Sequence, residues 1–292
     1  MDFVTFAQIH GLVITSLYAS ERIKRCGTVD KPRSTNGAYF YDGQKGWVFN
    51  WAGDARVIWY DDPNQKPWTM EEKFAWMKKR QEQSTKQNQS YELTAERAEI
   101  ILRASKLDNH PYLEFKGFKD MKGFVHETSL MIPMRNVVTN KLQGLQEIYW
   151  DELNRKYEKK MLAGMRAKNA VHWLGDRDAK EKWLVEGYAT GMSLHHALRS
   201  VGMQATVVVC FSANNLVQVS AQIKGDRYIF ADHDKSKTGE NSAIETGLPW
   251  TMADEEGMDA NDLHDKYGLI AVVKKVMELR KKVLTQQLEN TV

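Results

Sequence analysis

The strongest constraint on this chain lies in its last third, where short apolar runs alternate with helical patterns. "KWLVE", "ATVVVCF" and "RYIFADHD" are strand-length runs, and the segments between them carry helical spacing. Residues 188–200 place Thr190, Leu194, Ala197 and Leu198 on one face, with Val201 continuing it, and a second helix is expected over 213–222. Strands that alternate with helices form a parallel sheet covered on both faces. Residues from about 178 onward therefore read as a compact α/β domain.

Parallel sheets gather ligands outside the carboxyl ends of their strands. Glu186 ends the first run, and Asp232 and Asp234 end the third. If those two strands are neighbours, three carboxylates converge on one crevice. Each acid alone is equally an ordinary solvated turn residue. Together they suit Mg2+ or Mn2+, which take a few carboxylates and keep waters that phosphate oxygens can replace. Asp259 and Asp262 are spaced either to share a helix face near such a site or to start a helix. "FSANNL" puts Ser212 and Asn214 where a strand gives way to a helix, a place for phosphate or for a plain cap. His195 and His196 sit within the expected helix, where packing is the simpler role.

The preceding residues are less regular. A helix is expected over residues 3 to about 24, followed by a hairpin of the runs 38–41 and 47–51 turned at Asp42-Gly43. Thr69 and Glu72 have capping-box spacing, with Met70, Phe74 and Met77 at helical intervals. "RQEQSTKQNQS" reads as a linker, and Thr94 to about Ser105 as another helix. Short strands are expected between Asn109 and His172. Among them lies a basic segment with Arg155, Lys156, Lys159, Lys160, Arg166 and Lys168. In the hairpin region Arg25, Lys31, Arg33 and Lys45 accompany Tyr39, Tyr41, Trp47 and Trp51, a mixture that serves single-stranded nucleic acid or a small aromatic core.

Composition limits the classes. Apolar residues make up 42% of 292, enough for a core, while a net charge of +3 leaves any nucleic-acid role to local patches. Cys26 and Cys210 offer neither a disulfide framework nor a structural zinc site, so no zinc is expected and a cytoplasmic setting is the default. No run approaches membrane-span length, and no membrane association is expected.

"VEGYATGMSLHHAL", "VVVCFSANNL", "ADHDKSKTGENSA" and "GLPWTMADEEGMDANDLH" resemble the Toprim domain of plasmid- and phage-encoded DNA primases with an EGYATA motif. "HPYLEFKGF", "LMIPMRN", "LQGLQEIYWD" and "KKMLAGM" resemble the segment before Toprim in those proteins, and "RCGTVDKPRSTNGAYFYDGQKGWVFNW" resembles their N-terminal region. Gly191 departs from the motif's usual alanine, with a small consequence expected.

The resemblance implies an α/β chain, α+β overall. Residues 1–66 would form an N-terminal helix and aromatic hairpin region, 67–107 a helical connector, 108–177 a β-rich subdomain and 178–292 a Toprim catalytic domain. It implies short RNA primers made on single-stranded DNA from NTPs in a bacterial host's cytoplasm. Asp232 and Asp234 would hold Mg2+ or Mn2+, with Glu186 as ligand or general base and Asp262 as a further ligand. Lys235, Lys237, Ser212 and Asn214 would meet phosphates. Arg25, Lys31, Arg33, Trp47 and the basic segment from Arg155 to Arg166 would meet the template. The chain has no G-x-x-x-x-G-K-[ST] motif, so a separate replicative helicase is the expected partner. A metal-dependent nuclease and a non-catalytic single-strand-binding accessory protein are the alternatives.

Overall fold

The computed structural model describes residues 1–51, 56–60 and 70–289, without the side chains of Glu21, Glu72, Lys73, Trp76, Met77 and Arg80. The expected cap pair Thr69 and Glu72, and Met77 with it, lie outside what is described. The chain divides into two compact units, Met1–Arg80 and Gln81–Val292.

In the first unit, α1 (Phe3–Ile9) is followed by β1 (Leu12–Val13), β2 (Ser20–Thr28), β3 (Gly37–Tyr41), β4 (Gly46–Asn50) and β5 (Ile58–Tyr60). Among the described residues these strands form one sheet in the order β1-β2-β3-β4-β5. The helix expected to reach residue 24 thus stops at Ile9. Gly11 follows at φ 77, a left-handed conformation that suits glycine, and the backbone of 20–28 is taken up by pairing with β3. The hairpin forms as expected, with Tyr39 opposite Val48. Period-2 alternation turns Tyr39 and Val48 into a core with Phe3, Ala7, Leu12 and Tyr60. Phe3 stacks on Tyr41 at 4.5 Å and meets Tyr60 edge-on at 5.3 Å.

The division between the units falls within α2 (Met70–Ala104), a single helix covering the stretch expected as a linker. Gln, Lys, Glu and Arg all favour helix, so a polar composition that reads as loop is also compatible with one long exposed helix. Its last turns pack Ala98 on Met131 and Leu145.

The second unit continues with β6 (Lys106–Asp108), α3 (Pro111–Phe115), β7 (Gly123–His126), β8 (Ser129–Asn136), β9 (Leu142–Asp151), β10 (Lys156–Met161) and β11 (Ala170–Leu174). Then come β12 (Glu181–Val185), α4 (Tyr188–Ser200), β13 (Ala205–Val209), α5 (Ala213–Ser220), β14 (Asp226–Ala231), α6 (Thr238–Thr246), β15 (Trp250–Met252), α7 (Ala260–Tyr267) and α8 (Leu269–Glu289). Among the described residues all ten strands join one mixed sheet, ordered β10-β9-β8-β11-β13-β12-β14-β15, with β7 also on β8 and β6 on β7. β12 pairs in parallel with both β13 and β14, so the condition placed on the acids, neighbouring strands, is met.

Each central strand is buried on both faces. Trp183, Val185, Val207, Val209 and Phe230 point to the layer containing α4, α7 and α8, while Leu184, Val208 and Ile229 point to the layer of α5 and α6. Fully burying side chains of this size contributes roughly 1.5–3 kcal/mol each. Gly191 lets α4 lie close to this sheet, since a Cβ there would come within 2.7 Å of Val209 Cγ2 and 3.2 Å of Val185 Cγ2. Gly191 thereby sets how closely helix and strand approach. No helix among the described residues is long and apolar enough to cross a membrane.

Candidate active site

Glu186 leaves β12, and Asp232 and Asp234 leave β14, at the same end of two adjacent parallel strands. The Glu186 backbone is pinned from the neighbouring strand end: its carbonyl accepts the Phe211 N–H at 2.8 Å, as Val185 accepts that of Cys210 at 2.8 Å. Phe211 is held at φ 65, unusual for a bulky residue, so the turn beside the crevice is strained. On the other side α6 approaches so closely that a Cβ on Gly239 would fall 2.4 Å from the Asp232 carbonyl oxygen.

The acids occupy different environments. Asp232 is largely enclosed, and its Oδ1 is buried with no hydrogen-bond partner. Burial, followed by the charges of Asp259, Glu186 and Asp234, pushes its carboxyl up to about 8, against a smaller opposing effect of Lys159. Burial also raises Glu186, reinforced by Asp234 and opposed by Lys159. Asp234 behaves differently. Desolvation pushes it up, but hydrogen bonds from the Ser236 hydroxyl and the Gly239 and Thr238 N–H groups outweigh this and hold it below the usual carboxylate range.

Asp259 enters from the start of α7. Its Oδ1 accepts the N–H groups of Asn261 at 2.6 Å and Asp262 at 2.9 Å, and its Oδ2 accepts the Thr190 hydroxyl at 2.8 Å. Asp262 returns the favour through Oδ2, which accepts the Asp259 N–H at 3.1 Å. The pair therefore forms a capping box, and one Asp262 oxygen is committed to it.

Among the described residues, the cation that opposes these acids is Lys159. The residue is exposed overall, yet burial of its ammonium, with Lys116, lowers its pKa, while Asp259, Asp232 and Asp262 oppose that. It lies 5.9 Å from the Tyr112 ring centroid. β10 is an edge strand of the sheet, so this cation and the acids of β12 and β14 come from well-separated strands. Tyr112 is buried with its hydroxyl unpartnered, and burial, with Tyr188 and Asp259, raises its pKa. No local pattern marks Tyr112, and Lys159 reads only as one charge in a run.

The other expected contacts are dispersed. The structure divides the basic segment: Arg155 sits in the β9–β10 turn at φ 49, Lys156 pairs with Glu158 at 2.7 Å, and Lys160 alternates away from Lys159. Arg166 bonds Asn88 and lies over Tyr91 at 4.8 Å. Lys235 and Lys237 are exposed just past the acids. Ser212 caps α5, accepting the Asn215 N–H at 3.2 Å, and together with exposed Asn214 and Lys168 lines a cavity of about 200 Å³. In the first unit Arg25 lies 3.8 Å from the Trp51 ring centroid, Trp47 stacks on Phe40 at 6.4 Å, and Lys31 and Arg33 are exposed. His196 packs beside Phe118 at 5.3 Å. A larger cavity, about 620 Å³ between β15 and α8, contains none of the acids.

All the donors here are hard carboxylate oxygens, the set that Mg2+ or Mn2+ prefers, and the orphaned Oδ1 of Asp232 is an acceptor in need of a partner. Among the described residues no three His, Cys, Asp or Glu side chains close to ligand spacing. The chain thus supplies a cluster of mutually repelling acids, compatible with a divalent cation but not drawn into a cage.

No protein-family model matches this chain, and no curated protein matches it. Among solved structures it is similar to one described as the DnaG catalytic core, with 18% identity and a TM-score of 0.35, covering 51% of this chain and 52% of that one. The chain thus spans about half the length of the solved chain it matches.

Proposed function

We propose that this protein is a DNA primase, a nucleotidyltransferase that builds short RNA primers on single-stranded DNA for plasmid or phage replication. The observation that carries the reading is the convergence of Glu186, Asp232 and Asp234 at the ends of neighbouring parallel strands. The order of these acids along the chain, within the "EGYATG" and "ADHD" segments, supports it.

Asp232 and Asp234 would hold Mg2+ or Mn2+, with Glu186 beside them. Such an ion neutralises phosphate charge and makes a hydroxyl more acidic. Asp234, kept ionised by its hydrogen bonds, is the standing negative charge of the site. Glu186, raised by burial, is suited to take the proton from a 3'-hydroxyl as that oxygen attacks the α-phosphate of an NTP and pyrophosphate departs. Lys159 offsets the acids and can meet the triphosphate, as can exposed Lys235 and Lys237. A separate helicase would supply single-stranded template.

The test is incorporation of labelled NTPs on single-stranded templates of varied sequence with Mg2+ or Mn2+. Oligoribonucleotides are expected from the natural protein and none from Asp234→Asn. Absence of product on every template, or unchanged product in the variant, overturns the reading. Cleavage of the template without NTPs would make it a nuclease instead.

A further inference from the structure

One edge of β8 changes partner along its length. Leu130 and Met131 pair with β7, whereas Arg135 and Asn136 pair with β11. Pro133 stands at the handover, with no N–H to offer either arm, and its carbonyl takes the His172 ring nitrogen Nδ1 at 3.0 Å in place of a ladder bond. β11 then departs to pair with β13 through His172, Trp173 and Leu174. The fork left between the two arms is a cavity of about 280 Å³, lined by Phe124 from β7, Arg135, Asn140 and Arg177, with His172 and Trp173 from β11.

The chemistry of this cavity is one-sided. Two guanidiniums line it and no carboxylate does. Among the described residues neither arginine has an acidic partner within ion-pair distance. Backbone carbonyls hold them instead, Asn140 O for Arg135 at 3.3 Å and Val138 O for Arg177 at 2.6 Å, and the Arg177 guanidinium also lies 5.8 Å from the Trp173 ring centroid. Each of those hydrogen bonds uses one of the five donors of a guanidinium. Two lining residues also have a buried polar atom without a hydrogen-bond partner, the Trp173 indole Nε1 and the Asn140 Oδ1. Buried groups of this kind are rare and call for an explanation. Burial takes His172 down to about 4, against the opposing hydrogen bond to Pro133, so its ring is neutral near pH 7; it meets Tyr188 edge-on at 5.6 Å. Phe124 remains 40% exposed at the rim.

We propose that the fork binds a single nucleotide unit, its phosphate against Arg135 and Arg177 and its base against the Phe124 and Trp173 rings. Paired guanidiniums match phosphate geometry, and aromatic faces accept any base. A volume near the lower limit for ligand pockets, roughly 300 Å³, suits one nucleotide and excludes a duplex. The unit can come from a free mononucleotide or from one residue of a single strand crossing the fork. None of the acids lines this cavity, so the inference stands independently of the polymerisation reading.

The test is calorimetric titration of the full chain in EDTA with AMP, adenosine, inorganic phosphate and an oligo-dT strand. AMP is expected to bind more tightly than adenosine or phosphate. Arg177→Gln should weaken AMP about tenfold or more, the loss of one charge-assisted hydrogen bond, at unchanged melting temperature, and Arg177→Lys should recover part of it. Trp173→Phe, which keeps a ring and loses the N–H, should weaken AMP less. Oligo-dT that competes with AMP identifies the strand as occupant, and oligo-dT that does not compete identifies the free nucleotide. Asp234→Asn should leave AMP affinity unchanged even where it abolishes primer synthesis. AMP that fails to bind at millimolar concentration, binds no better than adenosine, or binds Arg135→Gln and Arg177→Gln as well as the natural chain overturns the proposal.

Discussion

Replacing Asp232 with asparagine should make the cation-free protein more stable above neutral pH. In the unfolded chain this carboxyl ionises near 3.8, whereas in the fold it keeps its proton up to about 8. Between those values the folded state binds more protons, so stability falls as pH rises: the contribution is complete below 3.8 and lost through about 8. At about 1.36 kcal/mol per pH unit the loss is on the order of 5 kcal/mol. Water at the open edge of Asp232 screens part of this and leaves roughly 2–4 kcal/mol. Asn keeps the shape and carries no charge. Relative to the variant, the natural protein should thus lose several kcal/mol between pH 5 and 8.5. A melting temperature lower than the variant's by about 5–10 °C at pH 8.5 is expected, at roughly 2–4 °C per kcal/mol. Mg2+ should close that gap by stabilising the natural protein alone, by about 2.7 kcal/mol at a hundred times its dissociation constant. Thermal and urea unfolding followed by circular dichroism at both pH values, with EDTA or Mg2+, measure this. A stability difference between the two proteins that does not change with pH would refute the account of Asp232 as a buried, mutually repelled acid.

His172 titrates with the opposite sign: the folded ring stays neutral down to about 4 while the unfolded one protonates near 6.5, so stability is full above 6.5 and declines as pH falls toward 4. The loss is on the order of 3 kcal/mol, less what water at its exposed edge screens, and His172→Gln should flatten the acid limb of a stability–pH curve. Gly191→Ala gains nearly 1 kcal/mol of helix propensity but forces a methyl within 2.7 Å of Val209 Cγ2, an overpacking that costs about 1–3 kcal/mol. A net loss of about 1 kcal/mol in urea unfolding is expected, and a gain would mean that α4 can shift outward freely.

The parallel half of the sheet was readable because strands buried on both faces appear as unbroken apolar runs such as "ATVVVCF", bounded by helices with their own spacing. The acids could be listed from the same pattern, but their convergence depended on β12 and β14 being neighbours, which strand order alone decides. Residues 12–24 misled because "LVITSLYASERIK" fits two periods, and pairing with β3 outweighed its helical one. The Gln-rich stretch of α2 misled because composition does not separate a solvated helix from a solvated loop. Lys159 reads as one charge in a basic run until the fold sets its charge against Asp232 and Glu186. The fork at Pro133 depends on which strands share one edge of β8, and no local pattern carries that.

Lys159 comes from β10, before the first acid-bearing strand in the chain. The acids and their counter-ion therefore belong to different halves of one sheet. A fragment beginning at residue 178 would keep Glu186, Asp232, Asp234 and Asp259 but leave behind the ammonium that tempers them. The crevice is not a portable cassette: grafting the α/β half onto another scaffold would transplant its repulsion without the built-in remedy.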